Sequence, residues 1–236
     1  MTIRRPTRRA FGVSLASGAA ALALPSLAQA AWPSKPIRIV VPYTPGGFTD
    51  QMARLVQNEL QTSLGQPVVI DNKPGANSRI GVDAVAKAAP DGSTFGVVIA
   101  AYAANTTLYA KLPYDPAKDL VGVSLMGVSP LVAAVNVNAP FKTAREMIDY
   151  ARAHPGKISF GSSGSGSAAH LTTELLKSQT GTYMLHVPYR GAVPALTDLM
   201  GGQIQLFFDA PTGLINQAKA GKVRLIGVAG DKRLPA

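Results

Sequence analysis

The sequence predicts an α/β fold in two blocks, each a mostly parallel sheet flanked by helices. Three observations carry this. Short β-branched runs alternate with segments of helical period, the pattern of βαβ units. Both blocks repeat one device, a strand running through a glycine-rich turn into a capped helix. The 236 residues are 47% hydrophobic, enough apolar material for one or two cores and too much for a disordered chain.

The first strand is Ile37-Arg38-Ile39-Val40-Val41, stopped by Pro42. Pro45-Gly46-Gly47 turns the chain, and Thr49 or Asp50 can cap the helix that follows. Met52, Leu55, Val56 and Leu60 give that helix its apolar face, and Gly65 ends it. Val68-Val69-Ile70 is the next strand, residues 72–77 a loop, and Ile80 to Ala89 a helix closed by Pro90-Asp91-Gly92. Phe95 to Ala100 is a third strand.

The second block opens with the strand Leu131 to Val135 and the helix Thr143 to His154, which Pro155-Gly156 stops. Ile158-Ser159-Phe160 leads into a Gly/Ser-rich turn over residues 161–167, and Ala168 to Ser178 is the helix beyond it. His186-Val187-Pro188 closes a strand. Ala195 to Met200 is a short helix, and Ile204 to Phe208 and Val223 to Val228 are the last strands. No short repeat or heptad is present.

Composition excludes several functions. With no cysteine there is no disulfide scaffold, zinc-thiolate site, thiol catalysis or lipidated cysteine. Three histidines, His154, His170 and His186, give little material for a metal centre, and no metal or cofactor is expected. The formal charge of +10 is uneven. Arg4, Arg5, Arg8 and Arg9 fall in the first thirty residues, where there is no acid. The remainder holds 19 basic and 13 acidic residues, a net +6. These charges are scattered without interleaved aromatics, so no nucleic-acid partner is expected. Mild basicity suits the collection of small anions.

Residues 1–30 read as an export signal. A twin-arginine-like Thr7-Arg8-Arg9-Ala10-Phe11 precedes an uncharged run from Gly12 to Leu24 and an Ala28-Gln29-Ala30 cleavage site. The apolar run is shorter than the roughly 20 residues that span a bilayer. The mature chain then begins at Ala31 and is a soluble periplasmic protein.

The chemistry concentrates at two glycine-rich turns. The first N–H groups of a helix lack partners and the helix dipole is positive there, so such a turn receives anions. One turn spans Tyr43 to Asp50, with Gly46, Gly47, Phe48 and Thr49 between. The other comprises Ser162, Ser163, Gly164, Ser165, Gly166 and Ser167. Facing each other across a cleft, they can grip the two ends of a dicarboxylate. The plain alternative is two ordinary strand–helix turns. Sharper motifs fail. Gly164 to Ala169 fits G-x-G-x-x-A, but the acid of a dinucleotide site is missing after the next strand. There is no G-x-S-x-G elbow and no H-E-x-x-H around His170 and Glu174.

Together these segments resemble the tripartite tricarboxylate transporter solute-binding (Bug) receptors. The resemblance rests on the residues already quoted, on Asn72-Lys73-Pro74-Gly75-Ala76, Leu112-Pro113-Tyr114-Asp115 and His186-Val187-Pro188-Tyr189-Arg190-Gly191, and on their order from Trp32 to Arg233. It implies a two-lobed periplasmic-binding-protein fold, a Venus flytrap of type II-like form. Residues 31–127 make the first lobe, residues 128–228 the second, and residues 229–236 start a return to the first. It implies a monomeric, non-enzymatic receptor that captures a small organic carboxylate for membrane transporter subunits or a sensor. The implied ligand-binding residues are Tyr43, Gly46, Gly47, Phe48, Thr49, Asp50, Ser162, Ser163, Gly164, Gly166, Ser167 and Asp209, with none catalytic.

The chain departs from the family at Phe48, where a small residue is usual, at Ser78-Arg79, and at Ala210, where an amide commonly follows the aspartate. It also stops early, which raises a truncated, non-functional receptor as an alternative and leaves the first lobe incomplete. With only two clear helices in the first block, exposed apolar sheet and marginal stability are expected. A second alternative is a small hydrolase in the same cleft, with Ser163 or Ser165 as nucleophile and His170 the histidine near it.

Overall fold

The computed structural model describes residues 31–234, so the signal-like segment, its cleavage site and the last two residues lie outside the described residues. The body from Lys35 onward carries two sheets. The first has strand order β2-β1-β3, formed by β1 (Ile37–Val41), β2 (Val68–Asn72) and β3 (Thr94–Gly96), all parallel. Helix α1 (Phe48–Leu64) links β1 to β2 and α2 (Arg79–Ala86) links β2 to β3. Ile37, Ile39, Val41, Tyr43, Ala53 and Val68 form its core. Strand, crossover helix and parallel strand is the pattern that the alternating sequence implies.

Four details differ from the sequence reading. Gly47, in extended conformation, caps α1; Thr49 and Asp50 lie inside the first turn and are buried. The third strand is shorter, because the chain turns at residue 100 into a helix the sequence hid, α3 (Ala101–Leu108). Its Ala-Asn-Thr composition gives a weak helical signal. The first block therefore has three helices, not two. Gly65 does end α1, in the left-handed conformation that a glycine tolerates.

The second sheet has order β6-β5-β7-β4-β8. Its strands are β4 (Leu131–Asn136), β5 (Ser159–Ser162), β6 (Leu185–Pro188), β7 (Leu206–Asp209) and β8 (Val223–Ala229). Strand β5 runs parallel to β6 and β7, whereas β4 runs antiparallel to β7 and β8. This sheet is thus mixed rather than mostly parallel. β4 enters from the other block in the opposite sense, which periodicity cannot reveal. Around it lie α4 (Ala144–Ala153), α5 (Ala168–Thr180), α6 (Ala192–Met200) and α7 (Pro211–Lys219). The last was not read from sequence. Pro211 at its first position fits, since a helix's first N–H needs no partner. Fully buried Phe160, Phe207, Met147, Leu199 and Leu214 centre this larger core.

Candidate functional site

The first turn is built around Asp50. Its Oδ2 accepts from the Gly46 N–H (2.9 Å) and Arg54 Nε (2.9 Å), and its Oδ1 from Asn72 Nδ2 (3.0 Å). Burial works to raise the Asp50 pKa, but these hydrogen bonds outweigh it and hold the carboxyl below its ordinary range. Asp50 is therefore a strut that ties the turn to the end of β2. Thr49 is buried beside it and Phe48 is half-buried. Gly46 supplies the positive φ (84°) of the turn.

The second turn is built around two histidines. Ser162, fully buried, accepts from the Gly164 N–H (3.2 Å) and lies 2.7 Å from His186 Nε2. The Gly166 N–H donates to His170 Nδ1 (3.0 Å). The two imidazoles stack with centroids 3.9 Å apart, and Phe160 stacks on His186 at 4.9 Å. Ser167 caps α5, its Oγ accepting from the His170 N–H. Desolvation lowers both histidine pKa values, that of His186 to about 4.

The glycines of the two turns pack against different partners. Gly46 and Gly47 of the first lie against Val193 and Ala192 at the start of α6, and a Cβ on Gly191 would overlap Thr44. Gly164 and Gly166 of the second lie against Asn77, where a Cβ on each would come within 2.9 Å of Oδ1 and 3.0 Å of Nδ2, and Gly166 also abuts Leu108. Between these contacts is a small, partly open cavity of about 50 Å³. Tyr43 and residues 75–78 line it from the first sheet; Ser163, Tyr189 and Arg190 line it from the second. An open, largely apolar depression of about 670 Å³, with Thr44, Pro45, Val193 and Thr197 on its walls, adjoins Tyr189. The small cavity has the more polar lining, with Asn77, Ser78, Ser163 and Arg190 among its residues.

The sequence marks residues 72–77 only as a loop and Ser78 only as a departure from the family. Ala76, Asn77 and Ser78 all have positive φ (47°, 50° and 71°), a costly conformation for non-glycine residues that clusters at functional sites. The amide of Asn77 has one orientation. Asn105 Nδ2 donates to the Asn77 carbonyl oxygen (2.8 Å), which can only accept, so Asn105 Oδ1 accepts from Asn77 Nδ2 (2.8 Å). Asn77 Oδ1 is left buried with no hydrogen-bond donor, facing Gly164. The Tyr43 hydroxyl, its pKa pushed up to about 12 by burial, stays protonated in the same cavity.

Of the other sequence candidates, Asp209 ends β7. Desolvation raises its pKa to about 7, opposed by the Ala210 N–H. Ser163 is half-buried and Ser165 exposed, but the histidine bonds run to Ser162 and Gly166. Among the described residues the serine hydrogen-bonded to an imidazole is Ser162, which has no exposed surface, and neither Ser163 nor Ser165 shares such a bond. Among the described residues no group of three histidines or acids is placed to hold a metal ion. None of the described helices is long and apolar enough to cross a membrane.

Residues 52–236 match the tripartite tricarboxylate transporter family receptor, TctC. The chain belongs to this family. It is 38% identical over 204 residues to protein BugT of Bordetella pertussis, an alignment that covers 86% of this chain and 63% of BugT. Two solved structures overlay on 86% of the chain. Rpa4515 of R. palustris with adipate is 37% identical with a TM-score of 0.83, and 68% of it is covered. MatC of Rhodopseudomonas palustris with bound malate is 32% identical with a TM-score of 0.80, and 69% of it is covered. The fold is therefore the two-lobed periplasmic-binding-protein fold of this receptor family.

Proposed function

We propose that the chain is a solute receptor whose two lobes close on a small organic carboxylate. The observation that carries this is the small cavity between the sheets. Arg190, Tyr43, Asn77 and Ser163 all line this one small space, which supports a site with a cation, hydroxyl groups and an amide at hand. Arg190 follows β6, at the carboxyl end of a parallel strand, where ligands of open α/β sheets collect. A guanidinium is suited to bind a carboxylate bidentately. About 50 Å³ is room for one carboxylate-sized group, so the rest of the ligand lies toward the open depression. That relatives carry adipate and malate supports the ligand class.

In this reading the lobes are residues 31–127 and 128–228, and the chain is exported to the periplasm by its arginine-bearing leader. It delivers its ligand to membrane transporter subunits or a sensor. Tyr43, Ser163, Gly164 and Gly166 act at the ligand, whereas Asp50, Ser162 and Ser167 shape the turns that present them.

Titration calorimetry with adipate, malate, citrate and acetate tests the proposal. Saturable binding of at least one is expected, and R190A should weaken it about tenfold or more. No binding by any of the four, or binding indifferent to Arg190, rejects it.

A further inference from the structure

The arrangement beneath the second turn does more than fill space. The Gly166 N–H can only donate, so His170 Nδ1 must be an unprotonated acceptor and the ring proton sits on Nε2. That Nε2 faces Glu174 Oε1 at 3.7 Å. The second imidazole holds Ser162 Oγ, and Ser162 Oγ in turn holds the Gly164 N–H. The backbone of both positive-φ glycines is thus fixed through one stacked pair of rings. The charged groups facing the pair are few. Glu174 and Lys177 reach it from α5, with the Lys177 ammonium bonded to Glu174 at 2.7 Å. Lys177 also lies 5.4 Å above the Phe160 ring that stacks on His186. From β5, Phe160 and Ser162 contribute no ionisable group. The acid is shared with a lysine, and two stacked imidazoliums would repel each other across 3.9 Å.

We propose that His170 and His186 are the positioning pair of the second binding turn: as neutral stacked rings they hold Gly164 and Gly166 in the carboxylate-binding geometry, and proton uptake by the pair releases the turn and its ligand. This rests on the receptor reading above. Protonation of His170 Nδ1 replaces an acceptor by a donor aimed at the Gly166 N–H, so that hydrogen bond is lost. A charge on either ring raises the cost of a charge on the other. The pair therefore works as a unit. It gives the receptor a defined pH below which the backbone of the turn is no longer held from beneath.

Two measurements on the purified protein decide this. The first is an imidazole nitrogen NMR titration between pH 8 and about 4. At neutral pH His170 is expected as the Nε2–H tautomer, and the Gly166 amide resonance should move with the same midpoint as the ring. An Nδ1–H tautomer, or a Gly166 amide indifferent to the ring's titration, overturns the proposal. The second is the pH profile of malate and adipate binding in wild type, H170N and H170F. The Asn Oδ1 occupies the place of Nδ1 and accepts without titrating. H170N should bind within about threefold of wild type at neutral pH and lose the histidine-linked fall in acid, keeping only the part due to the ligand's own carboxyls. H170F should bind about tenfold more weakly at every pH. Equal acid profiles in wild type and H170N overturn the proposal. Failure of every carboxylate at every pH would instead reject the receptor reading, while the amide titration still decides whether the rings hold the turn.

Discussion

Asp209 and the histidine pair pull stability in opposite directions with pH. A carboxyl whose pKa is raised by burial binds more protons folded than unfolded. Its contribution is present at low pH and lost as pH rises from its ordinary range near 4 to about 7. The histidines, lowered by burial, bind fewer protons folded. Their contribution is present above about 6.5 and declines as pH falls toward about 4. Wild-type stability should therefore change little with pH between these limits. D209N removes one arm, so its melting temperature should rise with pH over that interval, measured by calorimetry in matched buffers. A D209N profile that superimposes on that of wild type would show that Asp209 carries no stored desolvation cost, and a flat one in D209N would deny the histidine contribution. Asp50 is the reverse case, a buried carboxylate with every partner in place. D50A removes the acceptor of the Gly46 N–H, of Arg54 and of one of the two Asn72 Nδ2 bonds, leaving Asn72 its bond to the Tyr43 carbonyl, at a cost of about 1–3 kcal/mol, read from urea denaturation.

The strands were legible because β-branched runs bounded by proline and glycine leave little choice, as at Ile37–Val41 and Leu131–Asn136. Helices α3 and α7 were not, because Ala-Asn-Thr and Pro-Thr-Gly segments have weak propensity and owe their form to packing on the sheets. The two glycine turns were legible as strand–turn–helix junctions. Their partners were not, since sequence does not place Asn77 beside Gly164 or Gly191 beside Thr44. The same contact makes a prediction at this scale. Gly166 has φ of 88°, and a Cβ there would overlap Leu108 of α3 and crowd Asn77. G166A should hold the lobes apart, abolishing ligand binding in calorimetry while far-ultraviolet circular dichroism stays unchanged. Retained affinity would mean that the lobes need not touch here. A further element stands out between the lobes. Residues 121–128 run extended, with Val121 88%, Val123 77%, Leu125 78% and Val128 85% exposed. Such a run binds hydrophobic dye. Replacing Val123 and Leu125 by serine should lower that fluorescence without lowering the melting temperature.

At the scale of the molecule, the described residues form two cores of unequal size. The first sheet has three strands and a core of six buried residues, whereas the second has five strands and the larger core. Buried apolar area sets the order in which parts of a fold open, so amides of β4, β5 and β7 should exchange most slowly and those of β2 and β3 faster. A ligand seated between the sheets changes this order in a specific way. If it binds as proposed, where Tyr43, residues 75–78, Ser163 and Arg190 converge, it stabilises the closed arrangement against any opening that separates them. At a concentration 100 times its dissociation constant the gain is about 2.7 kcal/mol. Hydrogen exchange with and without malate or adipate should then show protection rising together at residues 75–78 of the first lobe and 163–167 of the second. Residues on the far side of either sheet, such as the end of α4 near His154, should not change. Protection confined to one lobe would mean that the ligand docks on a single turn and that closure is not part of binding.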